Sequence, residues 1–214
     1  MNKYTQALQL CVAKNELYRE WLSVPFIVDK YAIASNSYIL AYTLKENTEI
    51  TDSPLDGRTH DDILDMIKAS NVSKIYTTER IKNSLDKCEK EDEITEGIEC
   101  QTCKGCGNVE WEFETEDEIW HKNFDCPDCN GEGRKFRQRT GKKIIPYYVE
   151  VRFGDKIIRA NLVSKLIEIA DVMGCSAIEM FFEHETSSYT IFRIDDLYVL
   201  IMTNAFNRNY KVII

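Results

Sequence analysis

Long apolar runs, histidines and surplus positive charge are what this sequence of 214 residues lacks. No apolar stretch approaches the roughly 18–20 residues that span a bilayer, so no membrane segment is expected. The opening residues, MNKYTQALQLCVAKNELYRE, carry charge throughout and show neither an apolar core nor an A-x-A site. No signal peptide is therefore expected, and the expected location is cytoplasmic. The net charge of −9 argues against a surface that binds nucleic acid as a whole, while leaving room for a local basic patch. Walker A, G-x-G-x-x-G and G-x-S-x-G motifs are missing. The three histidines are His60, beside Asp61 and Asp62 at an expected helix start, His121, and His184 in an expected turn. None stands near a nucleophile in sequence, so no enzyme is expected.

What is present is an ordinary globular mix, 43% hydrophobic and 29% charged, in a chain long enough for one large domain or two small ones. Tyr4, Ala7, Leu8, Cys11, Val12, Leu17 and Trp21 recur at three- and four-residue steps and predict a helix over 3–22. PFIV, YAIAS and YILAYTL follow, separated by turn residues Asp29-Lys30 and Asn36-Ser37, which is a hairpin pattern. A polar loop is expected over 46–58, then helices near 59–70 and 77–90, then the acidic run EKEDEITEGIE as a solvated connector. After Lys143, PYYVEVRF and KIIRA predict a hairpin around Gly154-Asp155. ANLVSKLIEIADVMG predicts a helix with Leu162, Leu166, Ile167, Ala170 and Val172 inward and Gly174 as its cap. SAIEMFF, SSYTIFRI and LYVLIMTNAF read as strands, and NRNYKVII as one more.

The expected fold class is α+β, with a first half at 1–93, an insertion at 94–144 and a second half at 145–214. Five of the eight cysteines crowd into 100–129. CQTCKGCG and CPDCNGEG are two copies of one phrase, C-x-x-C followed by alternate glycines. In a reducing compartment such pairs are metal ligands. Cys100, Cys103, Cys126 and Cys129 together supply the four thiolates that suit one structural zinc ion. The 22 residues between Cys103 and Cys126 fit a β-hairpin that brings the pairs together. Cys106 and His121 are the alternative ligands. Cys11 and Cys175 read as core thiols, and Cys88 as an exposed one. The repeat resembles the C-x-x-C-x-G-x-G unit of J-protein cochaperones, in which a pair of repeats binds one zinc. That resemblance spans about 35 residues and implies one zinc per chain.

RKFRQR, with the lysines after it, is the dense basic stretch: Arg134, Lys135, Arg137, Arg139, Lys142 and Lys143. Two readings stand. These cations either form a patch for the phosphate backbone of DNA or RNA, or they pair across strands with the acids of EWEFE, Glu110 to Glu114, with Trp111 and Phe113 on the opposite face.

The stretch from Tyr31 to Leu44, YAIASNSYILAYTL, resembles the strand–turn–strand of DNA sliding clamps, keeping the turn and the apolar positions of Ala34 to Ala41. ANLVSKLIEIADVMG, AIEMFF and YTIFRIDDLYVLIMT are similar to another part of a clamp module. Asn36, Ser37, Tyr38 and Ile39 depart from the clamp pattern, with Tyr38 left as an aromatic wall. The resemblance implies a clamp-like module, a pocket for partner peptides beside this hairpin, and replication-type proteins or nucleic acid as partners. The rival class is a protein-interaction adaptor whose zinc knuckle docks a polypeptide.

Overall fold

The structure is a computed structural model that describes residues 1–13, 20–51, 73–95, 97–114, 118–136, 138–153, 156–181, 188–203 and 212–214. The chain divides into two compact units, Met1–Glu89 with Ile145–Ile214, and Lys90–Ile144. The fold class is α+β.

The first unit is organised by β-branched and aromatic runs that pair as strands. β1 (Phe26–Val28), β2 (Tyr31–Ser35), β3 (Ile39–Leu44), β4 (Ser73–Thr77), β13 (Ala177–Phe181), β14 (Tyr189–Ile194) and β15 (Leu197–Met202) form a seven-stranded antiparallel sheet, ordered β1-β2-β3-β15-β14-β13-β4. β11 (Glu150–Phe153), β12 (Lys156–Arg159) and β16 (Val212–Ile213) form a second sheet, with β16 running parallel to β11.

Both faces of the large sheet are covered where β2, β3 and β15 run, which is why YAIAS and YVLIM are almost unbroken apolar runs. Ala32, Ala34, Ile39, Ala41, Val199 and Ile201 point into one core with helices α1 (Lys3–Gln9), α2 (Thr78–Leu85) and α3 (Ala160–Met173). Ile33, Tyr42 and Leu200, their alternate neighbours, point into a second core with Leu22, Phe26 and Val28. The strand period of two thus sorts one sequence into two cores.

That division corrects the expected helix over 3–22. α1 begins at Asn2, whose side chain accepts from Thr5 N–H at 2.9 Å, and ends by residue 10. Ala7, Leu8 and Cys11 serve the first core, whereas Ala13 and Leu22 serve the second, with Ala13 N–H donating to Leu22 O at 2.8 Å. One straight helix cannot face both cores, so the apparent helical period joins two different surfaces. β4 was not foreseen; SKIYT pairs in full register with β13 before Thr77 caps α2. α3 places Leu162, Leu166, Ile167 and Ala170 inward as expected, but Met173 is buried at its end and Val172 only half-buried. Gly174 closes it in the left-handed conformation at φ 73°. Cys88, expected outside, is buried in the first core. The expected helix near 59–70 and the turns at Gly154-Asp155 and around His184 lie outside the described residues.

Among its described residues the second unit contains three strand pairs. β7 (Asn108–Glu114) and β8 (Ile119–Asp125) form the hairpin expected between the cysteine pairs. β6 (Ile98–Glu99) pairs with β9 (Arg134–Lys135), and β5 (Glu91–Ile94) with β10 (Arg139–Ile144). Two expectations are corrected here. The acidic run after Lys90 is a pair of strands rather than a connector, because the basic run supplies opposite charge across from it. EWEFE pairs with β8, not with RKFRQR.

Candidate functional site

The two cysteine knuckles are built alike. In each, the first cysteine's carbonyl accepts from the first glycine's N–H: Gly105 to Cys100 at 3.3 Å and Gly131 to Cys126 at 3.2 Å. In each, the second glycine's N–H donates to the second cysteine's sulfur: Gly107 to Cys103 at 3.3 Å and Gly133 to Cys129 at 3.2 Å. The knuckles are then cross-tied, Cys100 N–H to Gly133 O at 2.9 Å and Cys126 N–H to Gly107 O at 2.7 Å. Thr102 Oγ1 donates to the Asp128 carboxylate across the same junction.

This arrangement gathers the four sulfurs. All lie within 4.8 Å of one another and all four cysteines are buried. Cys100 and Cys126 Sγ are 3.8 Å apart, and Cys103 and Cys129 Sγ 3.7 Å. A disulfide needs about 2.05 Å. Four thiolates held about 2.3 Å from a tetrahedral zinc lie about 3.8 Å apart, so the spacing fits such an ion. Cys100 and Cys129 hold their protons unequally. N–H groups of the knuckle backbone, led by Cys103, bring the Cys100 thiol down to about 6, and burial pushes Cys129 up to about 12. A bound dication displaces those protons and supplies the positive charge that four adjacent thiolates require.

Cys106 stands apart, exposed, with its thiol donating to Asn108 O at 3.1 Å. His121 Nδ1 lies 3.3 Å from Glu110 and 3.5 Å from Glu112, on the hairpin face it shares with those acids. Cys11, fully buried in the first core, has its thiol pushed up to about 12 by burial. It is a packed apolar group.

The basic stretch meets carboxylates, though not the expected ones. Lys135 lies 3.0 Å from Asp128, Arg139 3.2 Å and Lys143 2.6 Å from Asp92, and Lys142 3.7 Å from Glu93. Arg134 is exposed on β9, and Arg137 lies outside the described residues. Phe136, between them, is 73% exposed and adopts φ 59°, in the left-handed region that an aromatic residue seldom occupies. It borders an open hollow with Ile94, Arg134 and Arg139. His60, Asp61, Asp62 and His184 lie outside the described residues. Lys3 pairs with Asp195 at 2.8 Å, and Lys165 with Glu168.

A second feature, in the first unit, was not read as a site from residue chemistry alone. An apolar groove of about 300 Å³ is lined by Trp21, Phe26, Tyr38, Leu40, Tyr189 and Met202, among others. The β2–β3 turn builds its mouth. Asn36 Oδ1 accepts from Tyr38 N–H at 3.1 Å and from Ile39 N–H at 3.0 Å, and Ser37 takes φ 74°. Tyr38 is thereby held out over the groove, half exposed, with the Arg159 guanidinium 5.1 Å from its ring centroid. Its carbonyl accepts from Met202 N–H at 2.9 Å, tying the opposite wall to it. Trp21 packs edge-on against Phe26 with ring centroids 5.5 Å apart.

No protein family and no curated protein matches the chain. Among solved structures it is similar to bacterial replication clamps. They include the beta clamp of Helicobacter pylori bound to a DNA ligase peptide, at 11% identity and TM-score 0.48, covering 95% of this chain and 63% of that one. The beta chain of DNA polymerase III from Streptococcus pneumoniae is 13% identical, TM-score 0.48, over 97% of this chain and 65% of that one. The beta subunit from Thermotoga maritima is 12% identical, TM-score 0.48, with the same coverage. The chain spans less than two thirds of the length of these clamps. At TM-scores below 0.5 these likenesses transfer no ligand, partner or residue role to it.

Proposed function

We propose that this chain is a non-enzymatic binding protein of sliding-clamp type, in which one structural zinc ion holds the inserted unit and the apolar groove receives a peptide segment of a replication-type protein. The observation that carries the reading is the groove. It is concave, apolar and walled by Tyr38 on the very hairpin, Tyr31 to Leu44, whose sequence resembles the strand–turn–strand of clamps. Concave apolar sites with few polar groups suit large apolar anchors of an extended peptide. The zinc is structural in this reading because four buried thiolates leave no open coordination position. A thiolate site of this kind fits a reducing, cytoplasmic setting.

The test is calorimetric titration of the full chain with peptides from the clamp-binding segments of replication proteins. Binding that is lost in Tyr38→Ala, with zinc content unchanged, supports the reading. No binding by any such peptide overturns it.

A second reading, contact with single-stranded DNA or RNA through the insertion, is supported by Phe136. An exposed ring held at φ 59° beside Arg134 and Arg139 is a surface on which a base can stack. Arg139 and Lys143 beside it are exposed cations, and their pairing with the half-buried Asp92 is of the kind with which phosphate can compete. Filter binding at low salt that depends on Phe136 separates this reading from the first.

A further inference from the structure

The β7–β8 hairpin presents one face made almost wholly of aromatic rings. Its register sets Trp111 opposite Lys122, Phe113 opposite Trp120 and Val109 opposite Phe124. Alternation along a strand puts these six side chains on one side. Val109 anchors the base by packing on the cysteine cluster. Beyond it the rings are uncovered: Trp111 is 60% exposed, Phe113 68%, Trp120 59% and Phe124 45%. Trp111 and Phe124 pack edge-on at 5.8 Å, and Lys122 Nζ sits 5.0 Å from the Phe124 centroid. Aromatic side chains offer roughly 150–250 Å² each, so these four rings, three exposed by more than half and Phe124 by 45%, form a patch on the order of 500 Å². That equals the largest apolar patch of a typical monomer, and such patches are often functional.

Charge selects the occupant. Seven acidic side chains and a single lysine lie between residues 108 and 125. Glu110, Glu112 and Glu114 alternate with the rings along β7 and fill its reverse face. Phosphate backbones and anionic lipid headgroups are repelled by such an element, and a second copy would oppose acid to acid. We infer that this aromatic face docks a cationic amphipathic polypeptide: a segment of another protein with apolar side chains along one face and Lys or Arg at its margins. The zinc site sets the platform by fixing both ends of the hairpin, at Gly107–Asn108 and Asp125–Cys126. The surface is distinct from the groove of the first unit, and the inference does not rest on the groove's function.

The test uses the full zinc-bound chain with Trp21→Phe, so that Trp111 and Trp120 are its only tryptophans. A synthetic peptide with leucines on one face and lysines and arginines at the margins is titrated at low salt. The expected result is a blue shift and reduced acrylamide quenching. Trp111→Ala/Phe113→Ala is expected to weaken binding about tenfold or more while zinc content stays unchanged, read by peptide anisotropy. Glu112→Lys/Glu114→Lys, which leaves the rings in place, is expected to weaken it to a similar degree. The inference is overturned by an equal response to the same peptide carrying glutamates instead of cations, or by binding that survives either double substitution. It is also overturned if a single-stranded oligonucleotide, anionic vesicles or self-association of the chain produces the shift and the cationic peptide does not.

Discussion

Gly133 and Gly105 touch across the two knuckles so closely that a Cβ on Gly133 would lie 2.2 Å from the Gly105 carbonyl oxygen. The mirror contact places a Cβ on Gly107 2.3 Å from the Gly131 oxygen. Both glycines also adopt positive φ, 72° and 84°, and both donate to a cysteine sulfur. Gly133→Ala therefore combines the roughly 1–2 kcal/mol cost of a left-handed non-glycine residue with a backbone collision no side-chain movement relieves. The expected outcome is a weakened metal site, measured as faster zinc loss to a competing chelator than in the unaltered chain.

Replacing Cys126 and Cys129 together with Ser is expected to abolish stoichiometric metal, measured by elemental analysis. Removal of the ion should unfold the second unit selectively, because its buried apolar cluster is the four cysteines with Val109 packed against them. Hydrogen exchange should show lost protection over 98–135 and retained protection in α3. Retention of about one zinc per chain by the double variant sinks the assignment. Thiolate ligation also sets the pH sign: protons compete with the ion, so affinity falls as pH falls.

Cys106→Ser separates the spare cysteine from the site. Its thiol donates to Asn108 O and is exposed. Full zinc occupancy in this variant is the expected result, and a loss of metal would make Cys106 a ligand in solution.

Much of this was legible in the sequence where local chemistry dictates geometry. The repeated C-x-x-C with alternate glycines announces the sulfur cluster because the second glycine of each copy, Gly107 or Gly133, answers a backbone contact that a Cβ would block. The turn at Asn36-Ser37 was readable because the Asn side chain caps the backbone it precedes. The helix expected over 3–22 failed for a tertiary reason: Cys11 and Ala13 belong to cores on opposite faces of one sheet, and periodicity does not say which core a residue faces. The pairing of EWEFE with RKFRQR failed because charge complementarity had two solutions. Asp92 and Glu93 were as acidic as Glu110 and Glu112, and the choice between them is made by strand topology. The groove was invisible to residue chemistry, since its walls come from four distant segments.

Tyr76 offers a test of the first core. Its ring packs at 4.7 Å from Phe153, yet its hydroxyl is buried without a hydrogen-bond partner among the described residues. A buried unpaired hydroxyl costs stability, so Tyr76→Phe is expected to be neutral or to stabilise by up to about 1 kcal/mol. Chemical denaturation followed by far-UV dichroism measures the change. A destabilisation of similar size would mean that the hydroxyl has a partner in solution.

Asp92 decides how much of the basic stretch is free. It lies 2.6 Å from Lys143 and 3.2 Å from Arg139, and the Lys143 ammonium holds its carboxyl below the usual range. A depressed carboxylate contributes stability above its unfolded pKa and loses it as pH falls through the folded value. Between neutral pH and that value both cations stay engaged. All three side chains are solvent-exposed to some degree, so Asp92→Asn should change the stability of the second unit little. It should release two positive charges on one strand. Binding to a single-stranded oligonucleotide at low salt should then strengthen, and the slope of log affinity against log salt should steepen by up to roughly 1.4, about 0.7 for each added phosphate contact on a single strand. A neutral effect of Asp92→Asn on both affinity and slope would mean that Arg139 and Lys143 do not reach phosphate even when unpaired. That outcome would remove both of them from any nucleic-acid surface of this chain.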